Sequence, residues 1–207
     1  MITREVLLNA FQKPLPGKSS HDKLMSYHRP DAHVARLRVP SPKESAVIML
    51  LFERKELWHT LFIERPTNQS THSGQLAFPG GKLEANETHA EAALRETFEE
   101  VGIEPQQLEI IGQLTELYIP PSNYIVKPFV AIAREQLAWT INPSEVVRTL
   151  EVPLQTLMHI DALGTHTVEL NQNGTTLTVN GFLIEDKVLW GATAMMLQEF
   201  RQLLEPS

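Results

Sequence analysis

Cysteine is absent from the 207-residue chain, so disulfides, thiolate metal sites and cysteine nucleophiles are excluded. Such a chain suits a reducing compartment, and a cytoplasmic location is expected. Long apolar runs are missing too. The longest, residues 46–52, falls far short of the roughly 20 residues a membrane helix needs. The opening MITREVLLNAFQKPLPG carries Arg4 and Glu5 and has no long apolar core, so it does not read as a secretory leader. Basic residues are scarce: 18 Lys and Arg stand against 25 Asp and Glu, a net charge of −7. A surface for a nucleic-acid backbone needs clustered Lys and Arg, so neither nucleic acid nor membrane is expected as a partner. Acidity leaves small anionic substrates open, because carboxylates that hold divalent cations can also receive phosphate.

What is present describes a folded domain: 42% hydrophobic and 21% charged residues. Residues 2–12 carry Val6, Leu7, Ala10 and Phe11 on one helical face, and Pro14, Pro16 and Gly17 stop that helix. Residues 13–43 show little periodicity, so 1–43 reads as an N-terminal helix and irregular arm, and 44–207 as the main domain. Strands are expected at 46–52, 57–64, 75–78, 108–117, 124–133 and 146–152. Pro79-Gly80-Gly81 reads as a turn. A helix is expected over 87–101 with Asn86 as N-cap, and a short one over 154–158. A hairpin through 171–174, an extended 182–190 and a helix over 193–204 complete the chain. The pattern is α/β (α+β), a mixed sheet between helices.

The stretch GKLEANETHAEAALRETFEEVGI, residues 81–103, concentrates the chemistry. At about 100° per residue, Glu96, Glu99 and Glu100 share one face of the helix. Ala90, Leu94, Thr97, Phe98 and Val101 lie opposite and can pack on a sheet. Carboxylates spaced i, i+3 and i+4 repel one another, which makes sense if cations sit between them. Alone, three such glutamates are more often a solvated helix face. The surroundings decide: Gly81, Glu87, Arg95, Glu96, Glu99, Glu100, Gly102 and Ile103 match the Nudix box in register, so the stretch resembles that family. Seven fixed identities at about one in fifteen each put a chance match on the order of 10⁻⁸ per starting position. Thr97 is the one departure, standing where a bulky apolar residue is usual.

The resemblance implies the Nudix fold and a metal-dependent hydrolase with Mg²⁺ or Mn²⁺ as cofactor. Glu99 and Glu100 would be metal ligands, Glu96 a ligand or the general base, and the Gly80 carbonyl part of the metal shell. Arg95 would orient a glutamate, and Glu87 would pair with it from the first helical turn. Gly80 and Gly81 serve either a close approach to the metal or the turn alone. An acid from outside the box is also expected, and Glu145, before a strand, is the candidate; a solvated loop glutamate is the alternative.

Upstream, LFIERPTNQSTHSGQLAFPGG (61–81) resembles the signature of the coenzyme A pyrophosphatases within this superfamily. Leu61, Arg65, Gly74, Phe78, Pro79, Gly80 and Gly81 match it. Phe62, Ile63 and Pro66 differ, and Ser70 stands where the signature has a second arginine. Residues 114–131 and 189–197 also look like this subgroup. The implied substrate is coenzyme A, bound through Arg65, Gly74 and Lys82. Other nucleotide diphosphates, ADP-ribose or a dinucleotide, are the alternative that Ser70 keeps open, and a binding domain without turnover is the third. Lys82 or His72 is the candidate to compensate for Ser70, the alternative being that His72, Ser73 and Gln75 only anchor the loop, and Trp190, Met195 and Met196 read as core. Both a monomer and a homodimer are compatible with the sequence.

Overall fold

A computed structural model describes residues 2–25, 29–67, 74–159, 164–170 and 175–205. Ser70, His72, Ser73 and the turn expected at 171–174 lie outside them. The chain runs through α1 (Arg4–Ala10), α2 (Lys18–His21), α3 (Ala32–Ala35), β1 (Lys43–Arg54) and β2 (Leu57–Glu64). There follow β3 (Leu76–Ala77), β4 (Gly80–Lys82), α4 (His89–Val101), β5 (Leu108–Gln113), β6 (Leu117–Ile119) and β7 (Tyr124–Ala133). The last third holds β8 (Arg148–Pro153), α5 (Leu154–His159), β9 (Gly164–Glu169), β10 (Thr176–Ile184), β11 (Lys187–Trp190) and α6 (Gly191–Leu204).

Strand β1 is apolar on both faces because both are covered. Ala46, Ile48, Leu50 and Phe52 point one way, into a core with Ala92, Ala93 and Val101 of α4. Met49 and Leu51 point the other way, into a core with Met196, Phe200 and Leu203 of α6. Each side chain of this size is worth about 1.5–3 kcal/mol when fully buried, so β1 is a costly place for a polar residue. The main sheet runs β3-β2-β1-β7-β5, with β4 beside β1, β6 beside β7 and β8 beside β2. It is mixed: β1 and β7 are parallel, β1 and β2 antiparallel. Strands β9, β10 and β11 form a separate antiparallel sheet.

Four local expectations give way to the structure. Helix α4 starts at His89 rather than 87, because Thr88 and Glu91 form a reciprocal capping box. Asn86 instead takes a left-handed φ of 66° in the preceding turn, and Glu87 precedes the helix. Pro79-Gly80-Gly81 is no turn: Gly80 and Gly81 pair with Val47 and Ala46 of β1. Phe98, expected on the packed face, is 43% exposed, while Glu100 occupies that face at 1%. The strand expected at 108–117 is interrupted after a bulge at residues 110–112, so β5 and β6 are separate.

The N-terminal segment packs into the α6-side core through Leu7, Ala10 and Leu24. Its anchor is Glu199, fully buried on α6. That carboxylate accepts from the Gly17 N–H (3.0 Å), the Thr115 N–H (3.1 Å) and the Thr115 hydroxyl (2.6 Å), and His21 Nε2 lies 3.0 Å away. Burial pushes its carboxyl up, but the bonds from His21 and Thr115 outweigh burial and hold it below the ordinary range. A depressed carboxyl stabilises the fold above its unfolded value and loses that contribution as pH falls through the folded one. Glu199→Ala is therefore expected to cost about 3 kcal/mol or more in urea unfolding at neutral pH. The gap to the wild-type protein should narrow below about pH 4.

Candidate active site

Gly80 and Gly81 let two backbones and a carboxylate crowd together. Gly80 has φ 145°, and a Cβ there would strike the Ala46 carbonyl and the Val47 backbone. A Cβ on Gly81 would fall onto the Glu96 carboxylate. Strand β4 therefore lies flush against β1 and presents its backbone to α4. The Gly80 N–H donates to Glu100 Oε2 at 2.8 Å. Arg65, just after β2, donates to the Gly80 carbonyl at 2.9 Å and sits 3.5 Å from Glu100 Oε1.

On α4, Arg95 gathers the neighbouring acids. It donates twice to Glu87 (2.8 and 3.0 Å), once each to Glu96 and Glu99 (3.0 Å both), and to the Lys82 carbonyl (3.1 Å). This bidentate grip holds the Glu87 carboxyl below its ordinary range. The departure at Thr97 is absorbed: its buried hydroxyl donates to the Ala93 carbonyl at 2.7 Å.

The three box glutamates share an arc but not an environment. Glu100 is buried, Glu96 is partly buried, and the Glu99 side chain is 46% exposed and bonded to Arg95. The carboxylates that converge are Glu96, Glu100 and Glu145, with oxygens within 4.8 Å of one another. Glu145 reaches them on a loop hung from the end of α4. The Thr140 N–H donates to the Val101 carbonyl (3.0 Å), and the Asn142 N–H to the Glu100 carbonyl (2.9 Å), satisfying acceptors that a helix end leaves open. Burial pushes the Glu100 carboxyl up to about 7, and Glu96 and Glu145 add to it, against Arg65 and the Gly80 N–H. Burial also raises Glu96, opposed by Arg95 and reinforced by Glu99 and Glu145. Oxygen donors gathered at this spacing, with their charge only partly offset by Arg65 and Arg95, fit a hard divalent cation.

Glu96 and Glu145 open onto a cleft of about 910 Å³, with Glu100 buried behind them. Arg65, Lys82, Glu96 and Glu145 line it, as do Gly80 and Gly81. Gly74 is not among its lining residues; it has φ 66°, and its N–H donates to the Pro66 carbonyl at 3.4 Å. The Gly80 carbonyl, expected toward a metal, accepts from Arg65. Met195 and Met196 are both core, and Met196 also lines the cleft, as do Trp190, Ile119, Tyr124 and Val126. Arg29 lines it too. Nothing local in the sequence signals Arg29, because only the folding of the arm against α6 brings it there.

Comparison with known proteins gives the class. The NUDIX domain model matches residues 42–166, and the chain belongs to the Nudix family of diphosphate hydrolases. Among its relatives, an uncharacterized Nudix hydrolase, NudL, of Photorhabdus laumondii is 29% identical over 169 residues, 81% of this chain and 89% of that protein. NudL of Escherichia coli O7:K1 is 31% identical over 159 residues, 74% of this chain and 79% of the relative. A MutT/nudix family protein from Enterococcus faecalis shares the fold at 16% identity and a TM-score of 0.53, covering 99% of this chain and 75% of that one.

The raised Glu100 carboxyl sets a pH dependence. Its stabilising contribution is full below its ordinary value of 4.5 and is lost as pH rises through about 7. A cation binding the ionised carboxylates reverses that sign. The melting temperature of metal-free protein should fall between about pH 5 and 8, and added Mg²⁺ should raise it more at pH 8, by about 5 °C or more. Glu100→Gln should flatten both trends in thermal-shift assays. Equal Mg²⁺ effects at the two pH values would contradict this.

Proposed function

We propose that this protein hydrolyses the diphosphate bond of coenzyme A or its derivatives with Mg²⁺ or Mn²⁺ as cofactor, yielding 4′-phosphopantetheine and adenosine 3′,5′-bisphosphate. One observation carries the substrate reading. Arg65 and the Phe78-Pro79-Gly80-Gly81 run, which match the coenzyme A pyrophosphatase signature, converge on the carboxylates through the bonds Arg65–Gly80 and Gly80–Glu100. The cleft volume of about 910 Å³ also suits a ligand of this size.

In this reading Glu96, Glu100 and Glu145 hold the cation, with Glu99 beside them on α4. When bound, the cation offsets the charge of the diphosphate and makes water more acidic. Water attacks one phosphorus, and the bond from that phosphorus to the bridging oxygen breaks. The bridging oxygen leaves on the other phosphate, and a cluster carboxylate takes the water's proton. In this reading Glu145, which is exposed, passes that proton to solvent. Arg95 fixes Glu96 and Glu99, and Arg65 fixes Glu100 and the Gly80 peptide. Lys82 lies in the cleft wall beside Gly81, where it can meet a phosphate oxygen. A second reading, the same chemistry on ADP-ribose or a dinucleotide, is favoured by Ser70 in place of the signature's arginine.

Three experiments test this. Glu100→Gln should lower turnover at least about 100-fold while the protein stays folded by circular dichroism. Near-normal activity in that variant would remove the carboxylates from the reaction. Arg65→Ala, which frees both Glu100 and Gly80, should lower kcat as well as raise KM. For substrate, kcat/KM is compared across coenzyme A, dephospho-coenzyme A, ADP-ribose and a diadenosine polyphosphate in one metal buffer. Coenzyme A should lead; a preference for ADP-ribose of about tenfold would overturn the substrate while leaving the diphosphate chemistry in place.

A further inference from the structure

The cleft contains a cation that the reaction above leaves without a role. Among the described residues lining it, Arg29, Arg65 and Lys82 are positively charged. Arg65 is committed to Gly80 and Glu100, and Lys82 follows Gly81, on which Glu96 rests. Both belong to the carboxylate end. Arg29 belongs to a different wall: its Nη2 lies 3.9 Å from where a Cβ on Gly191 would stand, at the start of α6. That wall is otherwise mainly apolar, with Trp190, Ala192 and Met196. Arg29 also borders a second cavity of about 310 Å³, so its side chain stands between two spaces.

Arg29 is 7% exposed. A guanidinium this far out of water attracts an entering anion more strongly than one at the surface, because water screens it less. Its planar fork matches the oxygens of a phosphate, which a carboxylate-binding lysine would not reproduce. With the diphosphate at the carboxylates, a substrate that also reaches Arg29 must carry a second anionic group separated from the first. In nucleotide chemistry that group is a phosphate monoester on the ribose. We infer that Arg29 receives a phosphate monoester on the nucleoside half of the substrate, and so separates nucleotides that carry a ribose phosphate from those that do not. This rests on the diphosphate being held at Glu96, Glu100 and Glu145.

The test reads binding, apart from turnover. Titration calorimetry on the full chain compares adenosine 3′,5′-bisphosphate with adenosine 5′-monophosphate. The wild-type protein should bind the bisphosphate at least about tenfold tighter. Arg29→Gln should bring the ratio to about one, and Arg29→Lys, which keeps the charge and loses the fork, should leave an intermediate ratio. A wild-type ratio near one overturns the inference, and so does a wild-type ratio that persists in Arg29→Gln. Should Arg29→Gln not fold, an unchanged ratio in Arg29→Lys overturns it equally. The two readings fail separately. Selective bisphosphate binding without coenzyme A hydrolysis supports Arg29 and removes the substrate, whereas coenzyme A hydrolysis with a ratio of one does the reverse.

Discussion

A carboxylate buried beside two others must be compensated, and the geometry of the site follows from how Glu100 is compensated. Its two oxygens meet one N–H and one guanidinium, those of Gly80 and Arg65. For that N–H to reach it, β4 must lie against β1 closely enough that residue 80 has no room for a side chain. For Arg65 to reach it, β2 must end where it does, with the guanidinium folded back over the Gly80 carbonyl. What remains of the charge is left for a cation, which is why the same burial that destabilises the metal-free carboxylate makes the place a binding site.

The sheet makes these distances reproducible. Because β1 is covered on both faces, its register cannot slip without turning one apolar row out of its core. Two cores therefore fix β1, β1 fixes β4, and β4 fixes the peptide that Glu100 reads. Arg95 does the corresponding work along α4, where a single guanidinium spans Glu87, Glu96, Glu99 and the Lys82 carbonyl. Like charges on one helix face are thereby tolerated through a shared counter-charge.

The sequence was most legible where the pattern is local. Strands β2 and β7 run over the residues expected, 57–64 and 124–133, because apolar stretches there end at turn residues. The Nudix box was legible because its residues lie within about two dozen positions of one another. Where two local signals competed, geometry chose: Thr88 over Asn86 as the cap, and a strand over a turn at Gly80, since glycine serves close approach as well as reversal. Phe98 is exposed because Glu100 takes the buried side of the helix, which a wheel weighted by hydrophobicity does not anticipate. Arg29 was illegible for a different reason. Its segment has no periodicity, and its place in the cleft depends on Glu199 and Leu24 anchoring the arm far along the chain.

The loop that brings Glu145 forward is fastened to α4 itself, through the carbonyls of Glu100 and Val101. Its acid and the helix's acids thus belong to one mechanical piece, and a tilt of α4 moves them together. The motif and its chemistry are accordingly not the same object. Grafting residues 81–103 onto a foreign scaffold would transplant Glu96, Glu99 and Glu100 and leave Glu145 behind. A transplant that keeps the converging carboxylates has to take residues 140–146 with it, although they lie some way down the chain.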